Sequence, residues 1–165
     1  ADGGALVTTA IDYPRTLPLP LVPGYGLRRR PNILRTEKED GHARQRRRTI
    51  DSPSDYPVVF EFTAAEYMVF DSWFHYDAAD GAAWFNIELL AAIGLANHEA
   101  RVKEGKLDDD LLPGGNWRVA CVLETRQRPM LDPGVMALLA NDTADALLAA
   151  MAAFHTLVET QLWPD

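Results

Sequence analysis

"YPVVFEFTAAEYMVFDSWFHY", Tyr56 to Tyr76, holds two periodicities and the switch between them. Val58, Phe60 and Phe62 fall on one face of an extended chain, while Val59 and Glu61 fall on the other. This period-two pattern predicts a half-buried strand over 56–63. Thr63 and Glu66 then stand at capping-box spacing, each placed to satisfy an orphan N–H at a helix start, which predicts a helix over Ala64 to Tyr76. Its Tyr67, Phe70, Trp73, Phe74 and Tyr76 read as an aromatic stripe for packing on a sheet, a core feature rather than a cofactor box.

Downstream, Asp80-Gly81 marks a turn, and "AAWFNIELLA" resumes alternation with Ala83, Phe85, Ile87 and Leu89 on one face. Residues 94 to 116 are polar and irregular and read as a long loop, clearest at "LDDDLLPGGN". "WRVACVLETRQ", from Trp117, is the last strand; both its faces are partly apolar, so it belongs in the middle of its sheet. Asp132-Pro133 then looks like an N-cap with proline at the first helical position. After a break at Asn141-Asp142, Thr143 caps a further helix with Leu147, Leu148, Met151, Phe154, Leu157 and Val158 at helical spacing.

Upstream, "DYPRTLPLPLVPGYGLRRRPN" from Asp12 holds Pro14, Pro18, Pro20, Pro23 and Pro31. Proline fixes φ and removes a donor, so neither a helix interior nor a central strand survives there. Its leucines are too apolar for a solvated linker. The segment reads as an extended arm lying along its own subunit or a neighbour. The organisation expected is an arm over 1–32, a β-rich domain over 33–128 and a helical extension over 129–165, in an α+β class with one packed helix. Arg44 to Ile50 fits a strand with charged faces.

With 47% hydrophobic and 24% charged residues among 165, the composition is that of a globular chain with a real core. The start lacks a basic n-region and an apolar h-region, so no signal peptide is expected, and the apolar-rich 142–162 carries Asp145, His155 and Glu159, which argues against a membrane span. A soluble protein without membrane contact is the expectation. Cys121 stands alone, fits a core thiol and precludes an intrachain disulfide.

The net charge of −8 hides a split. Residues 1–48 hold ten basic and five acidic side chains, +5, and the remainder holds six and nineteen, −13. A basic front and an acidic back can attract copies head to tail, or can simply be solvated faces. The basic charge concentrates in "DGHARQRRRTI", at Arg44, Arg46, Arg47 and Arg48. Such a run neutralises phosphates, but arginine also grips carboxylates in planar, bidentate fashion.

Catalysis finds little footing. His42, His75, His98 and His155 never fall at metal-ligand spacing, and there is no phosphate loop, dinucleotide fingerprint or nucleophile elbow. Asp108, Asp109 and Asp110 lack the glycine and glutamate of a calcium loop. His98-Glu99 reads as a solvated surface pair. No enzyme activity, metal or cofactor is expected; a hydrolase built on 94–116 lacks a matched nucleophile and base.

The order of these motifs resembles a family. "YPRTLPLPLVPGYG", "RTEKEDGHARQRRR", "VVFEFTAAEYMVFDSWFHY", "DGAAWFNI" and "WRVACVLE" follow one another as in small virion proteins of tailed bacteriophages, and the outline is similar to minor tail and distal tail proteins. The resemblance spans roughly residues 13 to 126. It implies a tail-tube-like fold, a small antiparallel β-barrel or sandwich with one packed helix. It also implies a homo-oligomeric, hexameric ring in the virion tail or neck, made in the host bacterial cytoplasm and joined to other tail or neck proteins. Residues 94 to 116 and Asp132 to Asp165 depart from that outline.

On this reading the arm clasps an adjacent subunit through Tyr13, Pro14, Leu17, Leu19 and Tyr25. Arg28, Arg29, Arg30 and Arg35 lie beside it, and Arg44, Arg46, Arg47 and Arg48 pair with acidic groups of a neighbour. The alternative is a nucleic-acid-binding protein whose arginine segment touches phage DNA passing through a lumen.

Overall fold

A computed structural model describes residues 9–36, 42–49, 53–140 and 149. The chain forms two compact units, Ala1–Pro129 and Met130–Asp165. In the first, β1 (Arg28–Arg29), β4 (Ser54–Phe62), β7 (Trp117–Thr125), β6 (Gly94–Leu111) and β5 (Phe85–Ala91) make one five-stranded sheet in the order β1-β4-β7-β6-β5. A separate two-stranded sheet pairs β2 (Ile33–Thr36) with β3 (Arg44–Arg47), and every ladder in both sheets is antiparallel. The helix α1 spans Ala64–Tyr76, the residues that the sequence indicates.

Alternation puts Tyr56, Val58, Phe60 and Phe62 of β4 on the same face as Val119, Cys121 and Leu123 of β7, and all are buried. Phe85, Ile87 and Leu89 of β5 and Ala100 and Val102 of β6 continue that face. Onto it α1 lays Phe70, Trp73 and Phe74; the Phe62 and Phe70 rings stack at 4.9 Å, and Trp73 meets Phe85 edge-on at 4.9 Å. Each such burial contributes about 1.5–3 kcal/mol. The capping box starts the helix: the Glu66 N–H donates to the Thr63 Oγ1 at 3.3 Å, and the Thr63 N–H donates to the Glu66 carboxylate at 2.8 Å.

Three expectations need correction. First, the five-stranded sheet does not close into a barrel. Instead the arm bonds to both β5 and β4. The Tyr13 N–H donates to the Asn86 carbonyl and the Asn86 N–H to that of Ile11; further on, the Leu21 N–H donates to Val59 and the Gly26 N–H to Pro57. Prolines at 14, 18, 20 and 23 lack the donors for a continuous ladder, so the arm touches each strand at isolated points. Between those points the Tyr13 ring enters the core, stacked on Phe60 and edge-on to Trp73.

Second, 94–111 is strand β6, not loop. Its core-facing phase runs through Ala96, His98 and Ala100, too small or polar to announce a strand, before it reaches Val102. A bulge then breaks the phase, Lys103 to Lys106 facing only Val122 between the Val102↔Leu123 and Leu107↔Cys121 pairs. Third, Tyr76 is 79% exposed. It lies about 200° around the helix from Phe74 and so falls outside the buried stripe.

The second unit contains α2, Pro133–Ala140. The Asp132 Oδ1 accepts from the Gly134 N–H at 2.8 Å, so the N-cap forms where Asp132-Pro133 indicates it. The helix expected from Thr143 lies outside the described residues.

The bulge depends on a close backbone approach. Gly105 has φ +62°, and a Cβ there would stand 2.5 Å from the Asp80 carbonyl oxygen in the turn Ala79–Gly81 that follows α1. Gly105→Ala should therefore lower stability by about 2 kcal/mol or more, measured as a urea midpoint shift. Gly114→Ala, at φ +95° with open space around it, should cost only about 1 kcal/mol. Equal losses would mean that the approach of bulge and turn contributes nothing.

Candidate interaction surface

The β2–β3 hairpin is exposed at every strand residue. Its register sets Leu34 with Arg46 and Thr36 with Arg44 on one face, and Ile33 with Arg47 and Arg35 with Gln45 on the other. Each face thus carries one aliphatic side chain among two arginines. The root is clasped by Asn32 and Thr49: the Asn32 Nδ2 donates to the Thr49 carbonyl at 2.7 Å, and the Thr49 N–H returns to the Asn32 Oδ1 at 3.0 Å. Arg48, exposed, closes the same root by donating its N–H to the Asn32 carbonyl, and the Arg47 Nε donates to that of Thr49. Ile50 lies outside the described residues.

Of the three arginines before the hairpin, Arg28 and Arg29 are exposed in β1, while Arg30 turns onto the sheet. There Asp55 of β4 and Glu124 of β7 stand directly opposite one another. Two facing carboxylates repel, and cations relieve the repulsion. Arg30 bridges both, at 2.7 Å to Asp55 and 2.6 Å to Glu124; Lys103 adds a contact to Asp55 at 2.8 Å and Arg101 one to Glu124 at 2.9 Å. Arg101 and Arg126 also stand over the ring of Trp84, at 4.6 and 4.4 Å from its centroid, and Arg126 pairs with Glu99 at 3.1 Å.

Burial alone would raise both carboxyl groups. For Asp55 the hydrogen bonds and charges of Lys103 and Arg30 outweigh it, and for Glu124 those of Arg101 and Arg30 do, so both lie below the usual range. Hydrogen bonding to Asp55 chiefly holds the Arg30 guanidinium protonated beyond its ordinary range.

The sequence-selected arm residues divide. Tyr13 and Leu17 are buried in their own unit, and the Tyr13 hydroxyl donates to the Pro18 carbonyl at 2.8 Å. Tyr25 is half-buried; its hydroxyl donates to the Leu90 carbonyl, and burial pushes its pKa up to about 12. Pro14 is half-buried, and Leu19 is 38% exposed. Arm residues from Asp12 to Leu19 line a groove of about 640 Å³ beside Asn86, Glu88 and Asn97 of β5 and β6.

His98 is not a solvated residue paired with Glu99, as its sequence neighbourhood suggests. It is buried on the core side, where Nδ1 donates to the Ala96 carbonyl at 2.7 Å, leaving Nε2 to face the Tyr56 hydroxyl at 3.4 Å. Glu99 points the other way, to Arg126. Cys121 is buried, and burial first, then Asp109 and Asp108, push its thiol up to about 12, so it stays protonated. Asp108 and Asp110 are exposed, and Asp109 accepts from the Tyr67 hydroxyl at 2.8 Å.

Among the described residues no group of three or more histidines, cysteines or carboxylates is placed to hold a metal, and no helix is long and apolar enough to cross a membrane. No family model, curated protein or solved structure matches the chain.

Arg30→Met leaves Asp55 and Glu124 opposed and should cost about 2 kcal/mol at pH 7. Both carboxylates have depressed folded values, so their stabilisation is present above the unfolded carboxylate range and is lost as pH falls below it. The variant's acid-unfolding midpoint should accordingly move to higher pH, followed by circular dichroism; an unchanged midpoint would show that the bridge is dispensable.

His98 behaves with the opposite charge. Burial lowers its pKa from 6.5, despite the Ala96 hydrogen bond that favours the cation. The unfolded chain therefore binds the proton first as pH drops, and stability should decline as pH is lowered through about 6.5 towards the folded value. His98→Leu should flatten that part of the urea-midpoint profile between pH 7.5 and 5.5, whereas an identical slope in the variant would assign the titration elsewhere.

Proposed function

We propose that this chain is a structural, non-enzymatic subunit of a bacteriophage tail or head-to-tail assembly, with a tail-tube-like role. It would join copies of itself, in a ring, to neighbouring virion proteins. The observation that carries the reading is the β2–β3 hairpin. A two-stranded hairpin alone is marginal in water, and this one has exposed strand residues throughout and forms its own sheet. Arg44 and Arg46 further set two exposed cations side by side on one of its faces. Such an element gains most from an acidic partner, and a chain with a −13 remainder offers one in its own copies. The order of motifs along the sequence, similar to that of small tail proteins, supports the setting.

The arm residues Tyr13 and Leu17 serve their own core in this account, and the partner-facing part falls to the hairpin arginines with Leu19, Arg28 and Arg29. Mass photometry of the purified full chain should find a discrete oligomer that dissociates as salt rises. Arg46→Glu with Arg47→Glu should leave a folded monomer. Unchanged assembly in that variant would remove the hairpin from the interface.

The second reading, contact with DNA, draws on the same element, since a two-stranded ribbon fits the major groove and arginines meet phosphates. A gel shift that weakens steeply from low to moderate salt, from a chain that stays monomeric, would favour it over assembly.

A further inference from the structure

Helix α1 is apolar on two sides. Phe70, Trp73 and Phe74 face the sheet, but Met68, Val69 and Tyr76 on the other side are 67%, 44% and 79% exposed. Ser72 lies within that outer stripe, yet its hydroxyl turns back to the Met68 carbonyl at 2.8 Å rather than outward. An apolar helix face is normally covered. Among the described residues the sheet covers the inner side of α1, and the outer stripe stands open.

The margin of the stripe is acidic. Asp71 is exposed one turn from Met68, and Asp77 and Asp80 are exposed at the carbonyl end of the helix. Carboxylates there add to the negative end of the helix dipole, where cations are favoured. The only basic side chain in that last turn is His75, whose Nδ1 lies 3.1 Å from Asp80. The face therefore offers an apolar strip about 12 Å long, from Met68 to Tyr76, with negative charge along one side and at one end.

We infer that the outer face of α1 seats the β2–β3 hairpin of a second copy of this chain. The hairpin face bearing Leu34, Thr36, Arg44 and Arg46 has the complementary make-up: an exposed aliphatic side chain among arginines, on strands of four residues, about 13 Å. Leu34 would lie on the Met68 and Val69 side chains, with Arg46 and Arg44 reaching Asp71 and the acidic end. Donor and acceptor surfaces differ, so the contact can pass heterologously from one copy to the next, as a ring requires. This inference rests on the proposed self-assembly and specifies where the hairpin goes.

A charge exchange tests it. Asp71→Arg and Arg46→Asp, each in the full chain, should weaken self-association tenfold or more by sedimentation velocity. The two together in one chain should restore it, because every interface then regains an opposite pair. Both residues are exposed, and unchanged thermal unfolding of each variant would confirm that the fold is intact. Loss with Arg46→Asp but none with Asp71→Arg would overturn this seat while leaving self-assembly standing. Loss at both sites without rescue in the double variant would mean that α1 and the hairpin meet different partners, which also overturns it. A wild-type chain monomeric at every concentration would remove the self-assembly reading and the inference with it.

Discussion

Asp55 and Glu124 face one another across β4 and β7, and the guanidinium of Arg30 lies between them. Opposed carboxylates in the middle of a sheet would weaken it, and here they become the fixed point to which the chain before the hairpin is tied. Arg30 stands two residues before Asn32, whose amide clasps Thr49 at the hairpin root. The same guanidinium thus stabilises the sheet and sets where the arginine-rich hairpin leaves it. Lys103 and Arg101, on either side, complete a network in which each anion has two cationic partners.

The arm works by a related economy. An open sheet leaves unpaired edge groups that invite uncontrolled pairing, and a proline-rich segment bonded at a few points covers them without forming a new edge. Tyr13 adds a buried ring where the arm passes between β5 and β4, so the arm is also part of the core. Outside that core stand the hairpin and the outer stripe of α1, along with other exposed apolar side chains such as Val22, Leu95 and Leu111. In the proposed assembly these two exposed surfaces meet, and the core behind them is already complete within one chain.

The strand–helix unit was legible because each signal was local and redundant: alternation through Phe62, a capping box at Thr63 and Glu66, and aromatic spacing after it. Trp117 to Thr125 was legible as a central strand because both its faces are apolar. Strand β6 was not, since its core phase uses alanine and a buried histidine and is then shifted by a bulge. The charge of "LRRRPN" was plain, but not that Arg30 alone of its three arginines turns inward. That depends on Asp55 meeting Glu124, a register between segments about 70 residues apart that no local pattern reveals. The arginine run itself was legible as a surface, and its pairing as a hairpin with Ile33 to Thr36 was not, because those residues show little alternation of their own.

The central claim is that the β2–β3 hairpin is completed by another molecule. Hydrogen–deuterium exchange of the amides in Ile33–Thr36 and Arg44–Arg47, followed across protein concentration, tests it directly. The account predicts that protection of these amides rises with concentration along with the oligomer population, while the amides of β4 and β7 stay protected throughout. Fast exchange of the hairpin at every concentration, including those where an oligomer is present, would contradict it.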